Sequence, residues 1–291
     1  MKGYLVSHQK RVDEALENYL PKATVKPKTI YKAMRYSLFA GGKRFRPILC
    51  LAAAETCGGK QEAALPLACA IECIHTYSLI HDDLPCMDND DFRRGMPTSH
   101  KVFGEGIAVL AGDALLTIAF ELAALVPGWP RYSIRDIIRE LAVTSGSRHL
   151  IGGQVVDLES EGKKVGLSTL RFIHESKTAA LLSSSIRLGA MSANATPGQL
   201  EKLTSFGKAL GLAFQVIDDI LDVTQIAEKL GKSAGKDLAA EKATYPSLVG
   251  LERSRKIAQK LTKEAHTVLK PLGRKADVLH RLADYLLDRE Y

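Results

Sequence analysis

Asp82-Asp83-Leu84-Pro85-Cys86-Met87-Asp88 runs directly into Asn89-Asp90-Asp91 and then Arg93-Arg94-Gly95. Five acids within ten residues repel one another. Such a concentration at the end of an otherwise apolar helical stretch, Leu67 to Ile80, makes sense when cations neutralise it, and hard oxygen ligands call for Mg2+ or Ca2+. An acidic run standing alone is ordinarily a solvated helix end. This one has a counterpart: Asp218-Asp219-Ile220-Leu221-Asp222 closes a second apolar stretch, Phe206 to Ile217. Asp218 and Asp222, four apart, share one helical face, where like charges repel unless compensated. Because Mg2+ takes one or two protein carboxylates and leaves the rest of its octahedron to water and phosphate, paired aspartate clusters suit the gripping of a diphosphate through metal ions.

Basic residues complete the pattern. Gly41-Gly42-Lys43-Arg44-Phe45-Arg46-Pro47 puts three cations in four positions where Pro47 is placed to start a helix,. A helix N-terminus carrying Lys and Arg is a ready anion site. Arg93-Arg94, Lys177-Thr178 inside an apolar helix, and Gly231-Lys232-Ser233-Ala234-Gly235-Lys236-Asp237 add further diphosphate contacts,. Any one of these alone would be a surface salt bridge; together they have a common logic.

The elements that must position these groups are helices. Apolar residues recur at helical spacing, as in Leu65-Leu67-Ala68-Ile71-Ile74 and Leu200-Leu203-Phe206-Leu210-Ala213, while two-residue alternation is rare,. Breaks are expected at Pro21 to Pro27, Cys57 to Gly59, Pro85 to Pro97, Val126 to Pro130, Ser160 to Gly166, Thr196 to Gly198 and Gly231 to Gly235,. They leave roughly ten helices. Ala108 to Ala124 and Thr178 to Ala193 are rich in small residues and read as central helices packed on all sides. No repeat or low-complexity linker divides the 291 residues, so one domain over 1–291 is expected,.

With 46% hydrophobic and 25% charged residues the chain has an ordinary globular composition,. No charge-free apolar run approaches the ~18 residues of a membrane span, and Met1 to Leu20 mixes charges throughout, so a cytoplasmic protein without a membrane span is expected. The net charge of +7 is spread along helices without a lysine-rich arm or interleaved aromatics, which argues against nucleic acid,. Five cysteines in apolar, helix-like surroundings suit reduced core thiols,. A lone histidine such as His75 in an apolar helix is by itself more often structural than a ligand.

The chain resembles the bacterial farnesyl diphosphate synthase group of the trans-isoprenyl diphosphate synthases. The resemblance runs from about Leu38 to Thr244 and rests on Asp-Asp-x4-Asp, Asp-Asp-x2-Asp and Gly-Gly-Lys-Arg-x-Arg-Pro. It implies an all-α bundle around a deep central cavity, usually a homodimer. It implies that Asp82, Asp83, Asp88, Asp218, Asp219 and Asp222 hold three Mg2+ on an allylic diphosphate. Lys43, Arg46, His75 and Arg94 would bind isopentenyl diphosphate. Arg93, Lys177, Thr178, Gln215 and Lys232 would contact the allylic substrate, with Lys177, Thr178 and Gln215 near the developing cation. His81 has no such support.

Tyr77, five residues before Asp82, lies about one and a half helical turns from the aspartates, where a ring would floor a cavity,. In the related bacterial farnesyl enzymes an aromatic at this place stops the product at fifteen carbons, so farnesyl diphosphate is the expected product. A geranylgeranyl diphosphate synthase shares all the chemistry and differs in cavity depth. A non-catalytic partner subunit of a prenyltransferase complex would be expected to have lost a motif, and both aspartate motifs and the basic set are intact.

Overall fold

A computed structural model describes residues 1–229 and 243–287, apart from the side chains of 225–229. The helices are α1 Lys2–Tyr19, α2 Lys28–Leu38, α3 Phe45–Thr56, α4 Gln61–Asp82, α5 Ser99–Phe103, α6 Glu105–Ala124, α7 Ile134–Ser145, α8 Leu150–Ser160, α9 Leu167–Ile173, α10 Ala180–Ser192, α11 Pro197–Lys229, α12 Tyr245–Val249, α13 Leu251–Leu269 and α14 Asp277–Leu287. A π-helical segment, His174–Ala179, joins α9 to α10, and a 3-10 segment, Lys270–Ala276, precedes α14. Among the described residues the only strands are β1 Phe92–Arg93 and β2 Met96–Pro97, a two-residue antiparallel pair. The protein is all-α.

The described residues divide into two compact units: 1–141 with 188–195, and 142–187 with those from 196 onward. In the first unit α3 is the most enclosed helix. Pro47, Ile48, Leu49, Cys50, Leu51 and three alanines are all buried, because its sequence offers apolar or small side chains around the whole circumference,. It starts at Phe45, not at Pro47, and Pro47 occupies the first turn, where its missing N–H costs no hydrogen bond,. α4 is buried over most of its length and delivers the first aspartates at its end.

α4 and α6 are long and apolar enough to cross a membrane by length and composition, although Glu62 and Glu72 in α4 and Glu105, Asp113 and Glu121 in α6 leave neither with a charge-free run of that length. α6 departs from its expected packing on all sides. Ala108, Ala111, Leu115, Ala119 and Leu122 are buried, whereas Val109 and Leu110 are exposed. Thr178 to Ala193 behaves as expected, with Leu181 to Ile186 and Leu188 to Ser192 buried.

In the second unit α11 does not end at the second aspartate cluster but carries through it to Lys229. Thr244 caps α12: its side chain accepts from Ser247 N at 3.2 Å, and the Ser247 hydroxyl accepts from Thr244 N at 2.9 Å,. The expected breaks outside 230–242 fall between helices, except that Ser160 ends α8 and Pro197 and Gly198 form the start of α11; Gly104, residues 146–149 and Gly250 add others. The C-terminal segment forms the amphipathic pair α13 and α14.

Candidate active site

The basic residues of the first unit line a cavity of about 490 Å³, walled by Lys43, Arg44, Arg46, His75 and Arg94 with Glu72 as the one carboxylate among its lining residues. Gly42 has φ +124°, and a Cβ there would stand 2.6 Å from Arg94 Nη1, so the second glycine gives Arg94 its place,. The Arg94 guanidinium donates to the Gly41 carbonyl. Arg46 Nη1 lies 3.4 Å from His75 Nε2, and Arg46 Nε is buried with no hydrogen-bond partner among the described residues. Burial lowers the pKa of Arg46 against the pull of Glu72. Burial, then Arg46 and Arg94, push His75 well below the usual imidazole range, so it is neutral near pH 7,. A cavity lined by cations, one of them with an unsatisfied donor, is built to receive an anion.

Arg44, the cation of this motif outside the expected diphosphate-binding set, is held in the core. It sits in the left-handed region, φ 49°, and its side chain is 2% exposed. Its guanidinium donates to Asp13 Oδ1 at 2.7 Å, Glu72 Oε1 at 2.8 Å and the Leu38 carbonyl at 2.6 Å. Burial opposes its charge, but Glu72 and Asp13 outweigh that and raise its pKa.

The first aspartate cluster turns at the end of α4. Asp82 is its last residue, Asp83 caps it, and Asp88 N returns to the Asp82 carbonyl at 2.9 Å. Asp83 is 3% exposed and accepts from Arg93 Nε at 2.7 and 2.9 Å. Burial raises the pKa of Asp83 even with Arg93 against it. Its charge is therefore under-compensated, which a divalent cation would relieve. Asp88 is exposed. Tyr77 is 4% exposed on the same helix, its hydroxyl pushed up to about 12 by burial and by Asp82.

In the second unit Asp218 and Asp222 lie one turn apart on α11, Asp218 half-buried and Asp222 exposed,. Asp219 instead turns inward and is 8% exposed. Its Oδ2 accepts from His174 Nε2 at 3.0 Å and from Tyr245 N, at the capped start of α12, at 2.8 Å. Gln215 is half-buried one turn earlier on α11. Lys177 and Thr178 both sit in the π segment, a distortion common at functional sites,. Lys177 Nζ donates to Asp157 Oδ2 of α8 at 2.8 Å. α8 comes this close because residue 153 is glycine; a Cβ would lie 2.5 Å from Lys177 N. Lys232 lies outside the described residues.

The carboxylates suit Mg2+ in donor chemistry, although among the described residues no group of three His, Cys, Asp or Glu side chains is arranged to hold a metal ion. Protein carboxylates need supply only one or two ligands per Mg2+. Sequence reasoning missed Asp157, His174, Tyr245 and Glu72. Glu72 left a signal, being a lone acid three residues before His75 in an apolar helix, where a charge must find a partner,.

An all-α chain with two aspartate motifs and this basic set is, in class, a trans-isoprenyl diphosphate synthase. The Polyprenyl synthetase family profile matches residues 27–280, and the chain belongs to that family. It is 52% identical over 292 residues to a chloroplastic geranylgeranyl pyrophosphate synthase of Catharanthus roseus, covering 99% of this chain and 81% of the relative. It is equally 52% identical, over 297 residues, to a chloroplastic heterodimeric geranylgeranyl pyrophosphate synthase large subunit 1 of Arabidopsis thaliana, covering 99% and 79%. Among solved structures, an FPP/GFPP synthase of Zymomonas mobilis superposes with a TM-score of 0.86 at 36% identity, covering 98% of each chain.

Proposed function

We propose that this trans-prenyltransferase is a geranylgeranyl diphosphate synthase, extending an allylic diphosphate with isopentenyl diphosphate to a twenty-carbon product. The observation that carries the product assignment is 52% identity, over nearly the whole chain, to enzymes named for that product. It replaces the farnesyl expectation drawn from Tyr77. Farnesyl diphosphate stands as the second reading, favoured by the buried Tyr77 ring on α4.

Breaking the allylic carbon–oxygen bond leaves negative charge on diphosphate and positive charge on carbon. Asp82, Asp83, Asp88, Asp218, Asp219 and Asp222 would hold Mg2+, which when bound would supply Lewis-acid stabilisation of the leaving diphosphate. Arg93, Lys177 and Lys232 bind its oxygens, and next to Lys177 the side-chain oxygens of Thr178 and Gln215 present fixed dipoles to the developing cation. Lys43, Arg46, neutral His75 and Arg94 hold the isopentenyl diphosphate. The isopentenyl double bond supplies the electron pair of the new carbon–carbon bond. The resulting cation loses a proton to the departing diphosphate, which restores a double bond, so no side-chain nucleophile takes part.

The proposed active form is a homodimer, an assignment supported by the exposed apolar side chains of α6. The Arabidopsis relative is named as a subunit of a heterodimer; sedimentation of the purified chain alone separates the two arrangements. Chain-length analysis of the dephosphorylated product from isopentenyl and dimethylallyl diphosphates tests the product. A twenty-carbon alcohol supports the proposal. A fifteen-carbon alcohol that lengthens in Tyr77→Ala restores the farnesyl reading.

A further inference from the structure

We infer that Arg44 is the positioning residue of the isopentenyl diphosphate cavity, an inference that rests on reading that cavity as a diphosphate site. Arg44 follows Lys43, stands two residues before Arg46, and takes the left-handed conformation, which a residue with a Cβ adopts only when its surroundings hold it there,. Three anchors from three elements hold it: Asp13 on α1, the Leu38 carbonyl at the end of α2, and Glu72 in the middle of α4. The planar fork of a guanidinium reaches all three at once; an ammonium does not. The turn so fixed joins the end of α2 to the start of α3 and sets where Lys43 and Arg46 emerge. The same clamp fixes Glu72, 2% exposed, whose charge offsets the mutual repulsion of Arg46 and Arg94. Lys43, Arg46 and Arg94 are thus pre-organised for an anion before it arrives, and binding does not have to order them.

Asp13 makes the inference testable away from the cavity, since it is an anchor of Arg44 but does not line the cavity. The experiment is calorimetric titration of the full chain with isopentenyl diphosphate in the presence of a chelator, together with KM for each substrate and a thermal melt. Wild type, Asp13→Asn and Arg44→Lys are compared; Arg44→Lys keeps the charge and loses the fork. Loosening one anchor weakens isopentenyl diphosphate binding about fivefold in Asp13→Asn, and losing the fork weakens it about tenfold or more in Arg44→Lys. KM for the allylic diphosphate and kcat at saturation stay within about twofold of wild type in Asp13→Asn, whose side chain does not line the cavity,. Folded Asp13→Asn with unchanged affinity, or with equal rises in both KM values, overturns the inference whether or not Arg44→Lys folds. Wild-type protein that binds no isopentenyl diphosphate overturns the reading of the cavity and this inference with it.

Discussion

His174 Nε2 donates to Asp219 Oδ2 at 3.0 Å, and its ring lies nearly parallel to that of Tyr245, with centroids 5.7 Å apart. The π segment, the second aspartate cluster and the start of α12 therefore meet at one carboxylate. His174→Phe keeps an aromatic ring beside Tyr245 and removes the hydrogen bond. With one of its two donors gone, Asp219 is expected to lose orientation, and turnover to fall about tenfold to a hundredfold, with a higher Mg2+ concentration needed for half-maximal rate. Initial rates across a Mg2+ series measure this, and an unchanged Mg2+ dependence contradicts it.

Gly153 is the close-approach point between α8 and the π segment. A methyl group there would meet Lys177 N at 2.5 Å and Lys177 Cα at 2.9 Å, both backbone atoms that yield little. Gly153→Ala is expected to destabilise the protein by about 1–3 kcal/mol. It should also lower activity by moving Lys177 away from Asp157. Urea unfolding and turnover, measured on the same sample, check both effects.

Neutral His75 makes stability depend on pH. Its folded pKa is well below 6.5, while the unfolded chain takes up the proton near 6.5,. Below that pH the unfolded state binds a proton that the folded state does not. The stability associated with His75 is therefore complete above about pH 6.5 and is lost as pH falls, at about 1.4 kcal/mol per pH unit. His75→Gln should flatten this part of the profile. Urea midpoints between about pH 7 and pH 5, taken as the difference between wild type and variant, isolate the histidine from the carboxylates that also titrate there.

The fold was readable because apolar residues at helical spacing and Gly or Pro at the breaks act locally, and the aspartate motifs were readable because their charges are adjacent in the chain. What escaped was direction. Asp219 differs from Asp218 and Asp222 only in turning inward, which follows from the helical angle and from partners 45 and 26 residues away. Arg44 looks like its neighbours Lys43 and Arg46 in sequence, yet its φ of 49° and distant acids send it into the core. The π segment that carries Lys177 and Thr178 leaves no periodicity of its own over six residues. Val109 and Leu110 count as core by composition; their exposure depends on which face of α6 finds neighbours within the chain.

The most direct test of the account is the rate of inorganic diphosphate release from dimethylallyl diphosphate, with and without isopentenyl diphosphate, and with Mg2+ present or chelated. The account predicts release only when both substrates and Mg2+ are present, matched by incorporation of isopentenyl carbon into a longer prenyl chain. Release that proceeds at the same rate without isopentenyl diphosphate, or no release from folded protein under any of these conditions, would contradict prenyl transfer.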